Sequence, residues 1–170
     1  NHPRERVSWF EAVAYCRWLS ARLGIEVELP REEQWERASR GKEGRVYPWG
    51  EEYEAGRANV DETRGTVGRH DLGRTSAVGI YLEGATPEGV MDLSGNVWEW
   101  CQDEHEEQKR SRVLRGSSWI SVPQFSRADY RARNPPDDRD SYVGFRLVCS
   151  SPHRPLPTGP LNNGHWGAGH

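Results

Sequence analysis

The side chains that could do chemistry are few and scattered. Three cysteines are present, Cys16, Cys101 and Cys149. No two have the C-x-x-C spacing of a structural zinc site. Cys16 falls on one face of a helix-periodic segment and reads as a small buried apolar group. Cys101 and Cys149 each close a segment expected to be a strand, so they either bridge or stay free. Cys101 with His105 makes only a weak metal pair. Glu32, Glu33 and Glu36 could supply a general acid, but carboxylates at that spacing on a helix read as a solvated face. Asn59, Val60 and Asp61, with Asp71 further on, put side-chain oxygens beside backbone carbonyls. Such a stretch could hold Ca²⁺, which takes about six to eight oxygens; the same groups could equally satisfy turn N–H donors. Glu99 shares a strand face with Val97, and a buried carboxylate there needs a metal or an Arg.

The rest is arranged around residues 112–148. Arg112-Val113-Leu114-Arg115-Gly116 reads as a strand running into a tight Gly turn. Residues 142–148 read as a second strand of alternating apolar and polar residues. Between them Ile120, Ser121, Val122, Gln124, Phe125, Tyr130, Ala132, Asp140, Ser141 and Tyr142 mix aromatic, aliphatic, polar and acidic types. No acid/base pair, metal spacing or nucleophile–base pattern emerges. A loop rich in Tyr, Ser and Asp with a few large apolar groups resembles a binding surface more than a reaction centre. The plainer alternative is a surface loop of arbitrary content.

A chain of 170 residues can bury one sizeable core, so one domain is expected. With a net charge of −3 and a pI near 6.1, nothing draws it to nucleic acid or an anionic membrane. No apolar run approaches the roughly 20 residues that span a bilayer, and no secretory signal opens the chain. Localisation stays open. Asn1-His2-Pro3 reads as mid-domain sequence, so an upstream segment is expected. Lys occurs only at 42 and 109, and this Arg bias leans towards a thermophile or a GC-rich genome. Eight Trp and eighteen Gly suggest irregular turns pinned by large aromatics.

Ser8-Trp9-Phe10-Glu11 is a capping box. Ala12, Val13, Cys16, Leu19 and Leu23 follow at helical spacing and Gly24 supplies a left-handed stop, which predicts a helix over Trp9–Leu23. Residues 25–29 are short and extended, and Pro30 ends them. A second helix spans 32–39, with acids in its first turn, Arg37 and Arg40 near its end, and Gly41 closing it. Residues 41–87 read mostly as loop, and 96–101 as a strand with Trp98 and Trp100 on one face. The Pro-, Gly- and His-rich segment 151–170 is expected to lie extended along a domain formed by 1–150.

Several blocks together carry a resemblance. They include Val7-Ser8-Trp9, Tyr47-Pro48-Trp49-Gly50, Ala58-Asn59, Met91-Asp92-Leu93-Ser94-Gly95-Asn96-Val97-Trp98-Glu99-Trp100, Arg115-Gly116-x-Ser118-Trp119 and Gly144-Phe145-Arg146. In that order, across 1–148, the chain resembles the formylglycine-generating-enzyme (sulfatase-modifying factor) family. The resemblance implies an α+β, C-type lectin-like fold with a small twisted antiparallel sheet, two helices and much irregular loop. It implies that the family's upstream strands are missing here. It also implies two Ca²⁺ sets, one of Asp92, Gly95, Val97 and Glu99 and one including Asn59 and Val60. No cofactor is otherwise required. The family's enzymes need a cysteine pair just after the G-x-S-Trp block, and residues 120–126 hold none. An unactivated Ser hydroxyl cannot replace a thiolate. The iron-binding His cluster of the sulfoxide synthases is likewise missing.

The segment 112–148 is also similar to the variable region of diversity-generating retroelement variable proteins. The fixed frame would be Arg115-Gly116-x-Ser118-Trp119, Pro123, Arg127, Arg131, Arg133, Pro136-Asp137, Arg139 and Gly144-Phe145-Arg146-Leu147. The varied sites would be Ile120, Ser121, Val122, Gln124, Phe125, Tyr130, Ala132, Asn134, Asp140, Ser141 and Tyr142. Scrambled AAY codons never give Trp, Met, Lys or Glu, and none of these stands at those sites; Gln124 departs from the rule. Arg127, Arg131, Arg133 and Arg139 are expected to pair with Asp129, Asp137, Asp138 and Asp140 and so lock the irregular backbone. A phosphate- or acid-binding patch is the rival use of those Arg residues.

The sequence therefore implies a non-catalytic scaffold that presents a binding face over 120–142 to a macromolecular target, a protein rather than a nucleic acid. The alternative is a catalytically dead or divergent formylglycine-generating-enzyme-like domain. Oligomeric state is left open.

Overall fold

The computed structural model describes residues 1–149. The tail expected over 151–170 lies outside the described residues.

Ser8 begins helix α1, Trp9–Leu23. Its side chain accepts from the Glu11 N–H, the Glu11 carboxylate accepts in return from the Ser8 N–H, and Gly24 at φ 68° closes the helix. Strand β1, Val27–Glu28, is fastened back onto α1 because Ser20 Oγ bonds both the N–H and the carbonyl of Val27. Helix α2, Glu32–Arg40, follows, with Glu32 and Glu33 in its first turn and Arg37 and Arg40 in its last. Residues 41–97 are mostly irregular. They contain one turn of helix, α3 (Glu62–Gly65), capped by the Asp61 carboxylate, and a 3₁₀ turn at Leu82–Gly84.

The main sheet is a hairpin with one strand added on each side. Strand β2, Trp98–His105, pairs antiparallel with β3, Gln108–Arg115. Strand β4, Arg131–Asn134, lies antiparallel outside β3. Strand β5, Val143–Gly144, lies parallel outside β2. Strand β6, Val148–Cys149, pairs instead with β1 in a separate two-stranded sheet. The strand expected over 142–148 is thus two short strands in different sheets. Gly144 sits where an added Cβ would lie 2.6 Å from the Arg4 carbonyl, so close approach to the N-terminal segment interrupts the ladder.

Both faces of the start of β2 are covered. Trp98 and Trp100 pack with Val7, Ala12, Cys16, Leu29, Leu114 and Val143. Cys101 packs with Trp35, Leu93 and Val113 under α2. The indoles are tied at their polar ends, Trp9 Nε1 to the Cys101 carbonyl and Trp100 Nε1 to the Val7 carbonyl, both at 2.9 Å. Cys101 and Cys149 do not bridge. Cys101 is buried in the main sheet, Cys149 is exposed in the small one, and both are free. No described helix is long and apolar enough to cross a membrane.

Gly116, where the chain leaves β3, has φ 91°, and an added Cβ would lie 2.9 Å from the Trp35 ring. Gly116→Ala should therefore cost at least about 2 kcal/mol in chemical denaturation, from the left-handed backbone and the clash with an immobile indole. A loss below about 0.5 kcal/mol would show that this turn is not fixed by Trp35.

Candidate binding face

After Gly116 the chain has little regular structure, yet its backbone is fastened at short intervals. The Gly116 carbonyl accepts from Gly95 N–H at 2.7 Å, and the Trp119 N–H donates to the Asn96 carbonyl at 3.1 Å. The Ser121 carbonyl accepts from Asp61 N–H at 2.9 Å. Pro123–Ser126 forms a 3₁₀ turn packed on α3, where a Cβ at Gly65 would lie 2.8 Å from the Pro123 ring. The Ser126 carbonyl accepts from Ser94 Oγ at 2.9 Å, and the Ala128 N–H donates to the Val46 carbonyl at 2.8 Å.

Arg115 holds the far side. Its side chain is fully buried, and its guanidinium bonds Glu32 at 2.9 Å, Glu36 at 3.0 Å and the Ala128 carbonyl at 2.6 Å. It also lies over the Trp35 ring, 5.3 Å from the centroid. A buried guanidinium requires acids and carbonyls around it, and α2 presents two acids one turn apart. The reading of Glu32, Glu33 and Glu36 as one solvated face holds for exposed Glu33 alone. Glu32 is shared, since Arg131 Nη2 on β4 reaches its second oxygen at 2.7 Å. Arg127 forms the expected pair with Asp129. Arg131 and Arg139 do not pair with neighbouring aspartates as expected. Their acids come from the helices, Glu32 of α2 and Glu11 of α1, because the frame is closed by distant elements.

Between these fastenings the large side chains face outward. Ile120 is 43% exposed, Phe125 39% and Tyr130 37%. The Phe125 and Tyr130 rings stand 4.8 Å apart, and Tyr130 rests 6.0 Å from Trp98. Gln124 is exposed beside them, and Val122 and Ala132 are half-buried. Asn134 and Asp140 are half-buried and bonded to each other at 2.9 Å. Ser141 and Tyr142 are also half-buried, Tyr142 packing against the first core cluster. Ser121 differs from the rest. It is buried, with its hydroxyl 3.1 Å from that of Ser118, and belongs to the frame.

The carboxylates expected to hold Ca²⁺ at Asp92 and Glu99 are engaged otherwise. Asp92, Val97 and Glu99 do line one cavity, of about 420 Å³, together with Arg146. Glu99 accepts from Trp35 Nε1 at 2.6 Å and from Arg146 Nη2 at 2.8 Å. Arg146 Nη2 also bonds the carbonyls of Met91 and Asp92. Burial pushes the Asp92 carboxyl above its usual range, against the pull of the Gly79 N–H and Arg146. Gly95 donates its N–H to Gly116. In the second set, the Asn59 amide donates to the Arg74 carbonyl and to Asn96, the Asn59 carbonyl accepts from Asn96, and Val60 N–H bonds Ala58. With the Arg146 guanidinium on Glu99 and on the Asp92 carbonyl, the first set does not fit a divalent cation as it stands. No cluster of three or more acids, His or Cys suited to a metal occurs among the described residues.

The two buried thiols are poor candidates for nucleophiles. Burial pushes both Cys16 and Cys101 above the usual thiol range, away from the reactive thiolate.

Residues 1–151 match the family described as the sulfatase-modifying factor enzyme 1-like domain. The chain belongs to that family. It is 39% identical over 161 residues to the inactive C-alpha-formylglycine-generating enzyme 2 of Mus musculus, covering 88% of this chain and 49% of the relative. It is 33% identical over 175 residues to the formylglycine-generating enzyme of Thermomonospora curvata, covering 88% and 56%. Among solved structures it superposes on Treponema denticola variable protein 1 with a TM-score of 0.75 at 24% identity, covering 88% of this chain and 72% of that one. The fold is therefore the formylglycine-generating-enzyme type of C-type lectin fold. The chain spans about half the length of the curated relatives it matches.

Replacing Arg115 by Met removes one donor each from Glu32 and Glu36, which keep Arg131 and Arg40, and leaves the Ala128 carbonyl without its guanidinium. It should cost about 3 kcal/mol or more in urea unfolding, and a cost under about 1 kcal/mol would remove Arg115 as the clamp. The Glu11 carboxyl is held down to about 2 by the Ser8 N–H and by Arg139. Its folded pKa lies below its ordinary 4.5, so its contribution is complete above that value and disappears as the pH falls towards 2. Glu11→Gln should therefore lower Tm at pH 7 and match the parent near pH 2; a gap that persists unchanged at pH 2 would refute the role of its charge.

Proposed function

We propose that this domain is a non-catalytic display scaffold that binds a protein target through Ile120, Gln124, Phe125 and Tyr130, with Val122, Ala132, Asn134, Asp140, Ser141 and Tyr142 around them. One observation carries the reading. The backbone of residues 116–128 is held by groups outside the face, while its large side chains stand in solvent. A loop with that division of labour can exchange its exposed residues without losing its shape. A preordered loop also loses less entropy when it binds. The pairing of Arg127, Arg131 and Arg139 with acids favours a protein over a polyanion. Likeness to a variable protein at 24% identity supports the fold on which such a face could be built. We further propose that the gene is diversified over the segment encoding 112–148, and that no resident metal is needed.

The second reading is a catalytically dead or divergent formylglycine-generating-enzyme-like domain. The 33% identity to a named formylglycine-generating enzyme favours it. Missing cysteines at 120–126 and the protonated state of buried Cys16 and Cys101 weigh against thiol chemistry.

Simultaneous replacement of Ile120, Gln124, Phe125 and Tyr130 by Ser, Asp or Ala should change Tm by less than about 3 °C, and a near-copy of the 112–148 coding segment should stand beside a reverse transcriptase gene. Unfolding of such variants, or oxidation of a cysteine-containing peptide by the purified protein, would overturn the display reading. Chelation with EDTA should leave Tm unchanged. A drop restored by Ca²⁺ and lost in Glu99→Gln would instead assign a metal to the Asp92–Glu99 loop.

A further inference from the structure

The turn of helix α3 stands directly beside the proposed binding face, yet outside the segment 112–148. The Asp61 N–H, at the start of α3, donates to the Ser121 carbonyl at 2.9 Å. A Cβ at Gly65 would lie 2.8 Å from the Pro123 ring and 3.7 Å from Val67 Cγ2. Pro123 and Val67 therefore flank the same glycine, and Gln124, the next residue after Pro123, is exposed. Thr63, Arg64, Thr66 and Val67 are exposed as well, Val67 at 47%. The solvent side of α3 thus continues the surface of the loop.

This turn is held from beneath as firmly as the loop it adjoins. Glu62 is fully buried, and its carboxylate accepts from Tyr53 Oη at 2.7 Å, from Gly56 N–H at 2.6 Å and from His70 N–H at 3.3 Å. Its own N–H donates to the His70 carbonyl at 2.9 Å, and its carbonyl accepts from Val67 N–H at 3.3 Å. Thr66 closes the turn at φ 55°, with its N–H returned to the carbonyls of Glu62 and Thr63. The charge of Arg64 is a separate observation. Its side chain is 66% exposed, and Asp61 is its one acidic neighbour among the described residues, with Oδ2 3.8 Å from Nε. The Asp61 carboxylate is already committed to the Thr63 hydroxyl at 2.6 Å and to the Arg64 N–H at 3.0 Å. An exposed pair that long neutralises little. Arg127, Arg131 and Arg139, by contrast, each hydrogen-bond an acid directly.

We infer that Arg64 and Val67, on the α3 turn, form a constant flank of the binding face and engage an Asp- or Glu-bearing patch of the same protein target, an assignment that rests on the display reading. Arg64 takes a carboxylate of the target, and Val67 extends the apolar contact begun by the exposed loop. Neither residue belongs to the segment proposed to diversify. Whatever stands at 120–130, the flank then biases the face towards apolar spots that have an acid beside them. A charge at the edge of an interface acts on encounter rate and choice of partner more than on total affinity, which suits a fixed element beside an exchangeable one. The backbone of the flank is preordered by Glu62, so little entropy is lost when it is engaged. A nucleic acid is the poorer occupant, because a phosphate backbone is bound by several free cations together, and the Arg residues of the face are already paired.

Random peptides displayed on phage and selected on the immobilised protein test the assignment without a known target. Peptides captured by the parent should combine aromatic or aliphatic residues with an excess of Asp and Glu. Those captured by Arg64→Glu should lose that excess and gain Lys and Arg. A synthetic copy of one parent-selected peptide should bind Arg64→Glu at least about fivefold more weakly, and about 0.5 M salt should remove most of the difference. Arg64→Gln, which brings no new charge to the end of α3, should weaken binding in the same direction by about twofold. Both variants should keep Tm within about 3 °C of the parent. Equal acid content in the two selections, with equal affinities, overturns the constant flank; the display reading still stands if Phe125→Ser with Tyr130→Ser abolishes capture. Capture that survives that double replacement overturns the display reading and the flank with it. So does a parent that enriches no peptide.

Discussion

The buried guanidinium of Arg115 is the constraint on which the rest depends. It stands at the last residue of β3, and a cation in that position requires compensation from every side. Glu32 and Glu36 supply the charge, one turn apart on α2, which fixes that helix over the sheet. The carbonyl of Ala128 supplies a further acceptor, which draws the chain back beneath the turn after it has passed through the exposed loop. One side chain thus joins helix, sheet and loop. Glu32 then passes the constraint to β4 through Arg131. The loop between Gly116 and Ala128 has its two ends set by the same charged cluster.

A second charged centre acts similarly one strand away. Glu99 on β2 is buried, takes the Trp35 indole on one side, and meets Arg146 on the other. Arg146 also gathers the carbonyls of Met91 and Asp92. Trp35 is therefore shared, with its N–H on Glu99 and its ring face beneath Arg115. Two buried ion pairs around one indole leave few other ways to pack α2. That specificity comes with some cost in desolvation.

How much of this is legible in the sequence depends on how local the cause is. Helix α1 is readable to its ends, because Ser8, Glu11, the apolar spacing and Gly24 are all local signals. The need of Glu99 for a partner is readable from its place among apolar neighbours, and the partner, Arg146, lies 47 positions away. Strand β4 is not readable. Arg131-Ala132-Arg133-Asn134 has no apolar alternation, and it is a strand only because β3 offers it a ladder. The separation of β5 from β6 is hidden for the same reason, since the close approach of Arg4 to Gly144 is a tertiary fact. The clamping role of Arg115 has a signal in the sequence. An Arg after Val113 and Leu114, at the end of a strand, must either reach water or find acids, and Glu32 and Glu36 stand at the right spacing to receive it. Ser121 reads from sequence as a face residue although it belongs to the frame, because a small polar residue looks the same in either.

The exposed residues differ physically from those that hold them. Ile120, Phe125 and Tyr130 stand out from the frame, with Phe125 and Tyr130 resting on each other and on Trp98, so changing them alters few buried contacts. Ser118, Ser121 and Ser126 are small and buried, with each hydroxyl committed to a neighbour a few residues away, and a larger residue at any of them would push the turn off α3. The shape of the loop is thus encoded at positions that never reach solvent, and its surface chemistry at positions that hardly affect its shape. Such a separation suits recognition better than catalysis. A reactive group needs its pKa and orientation set by its surroundings, and the exposed side chains at 120–130 are the ones whose surroundings exert least control.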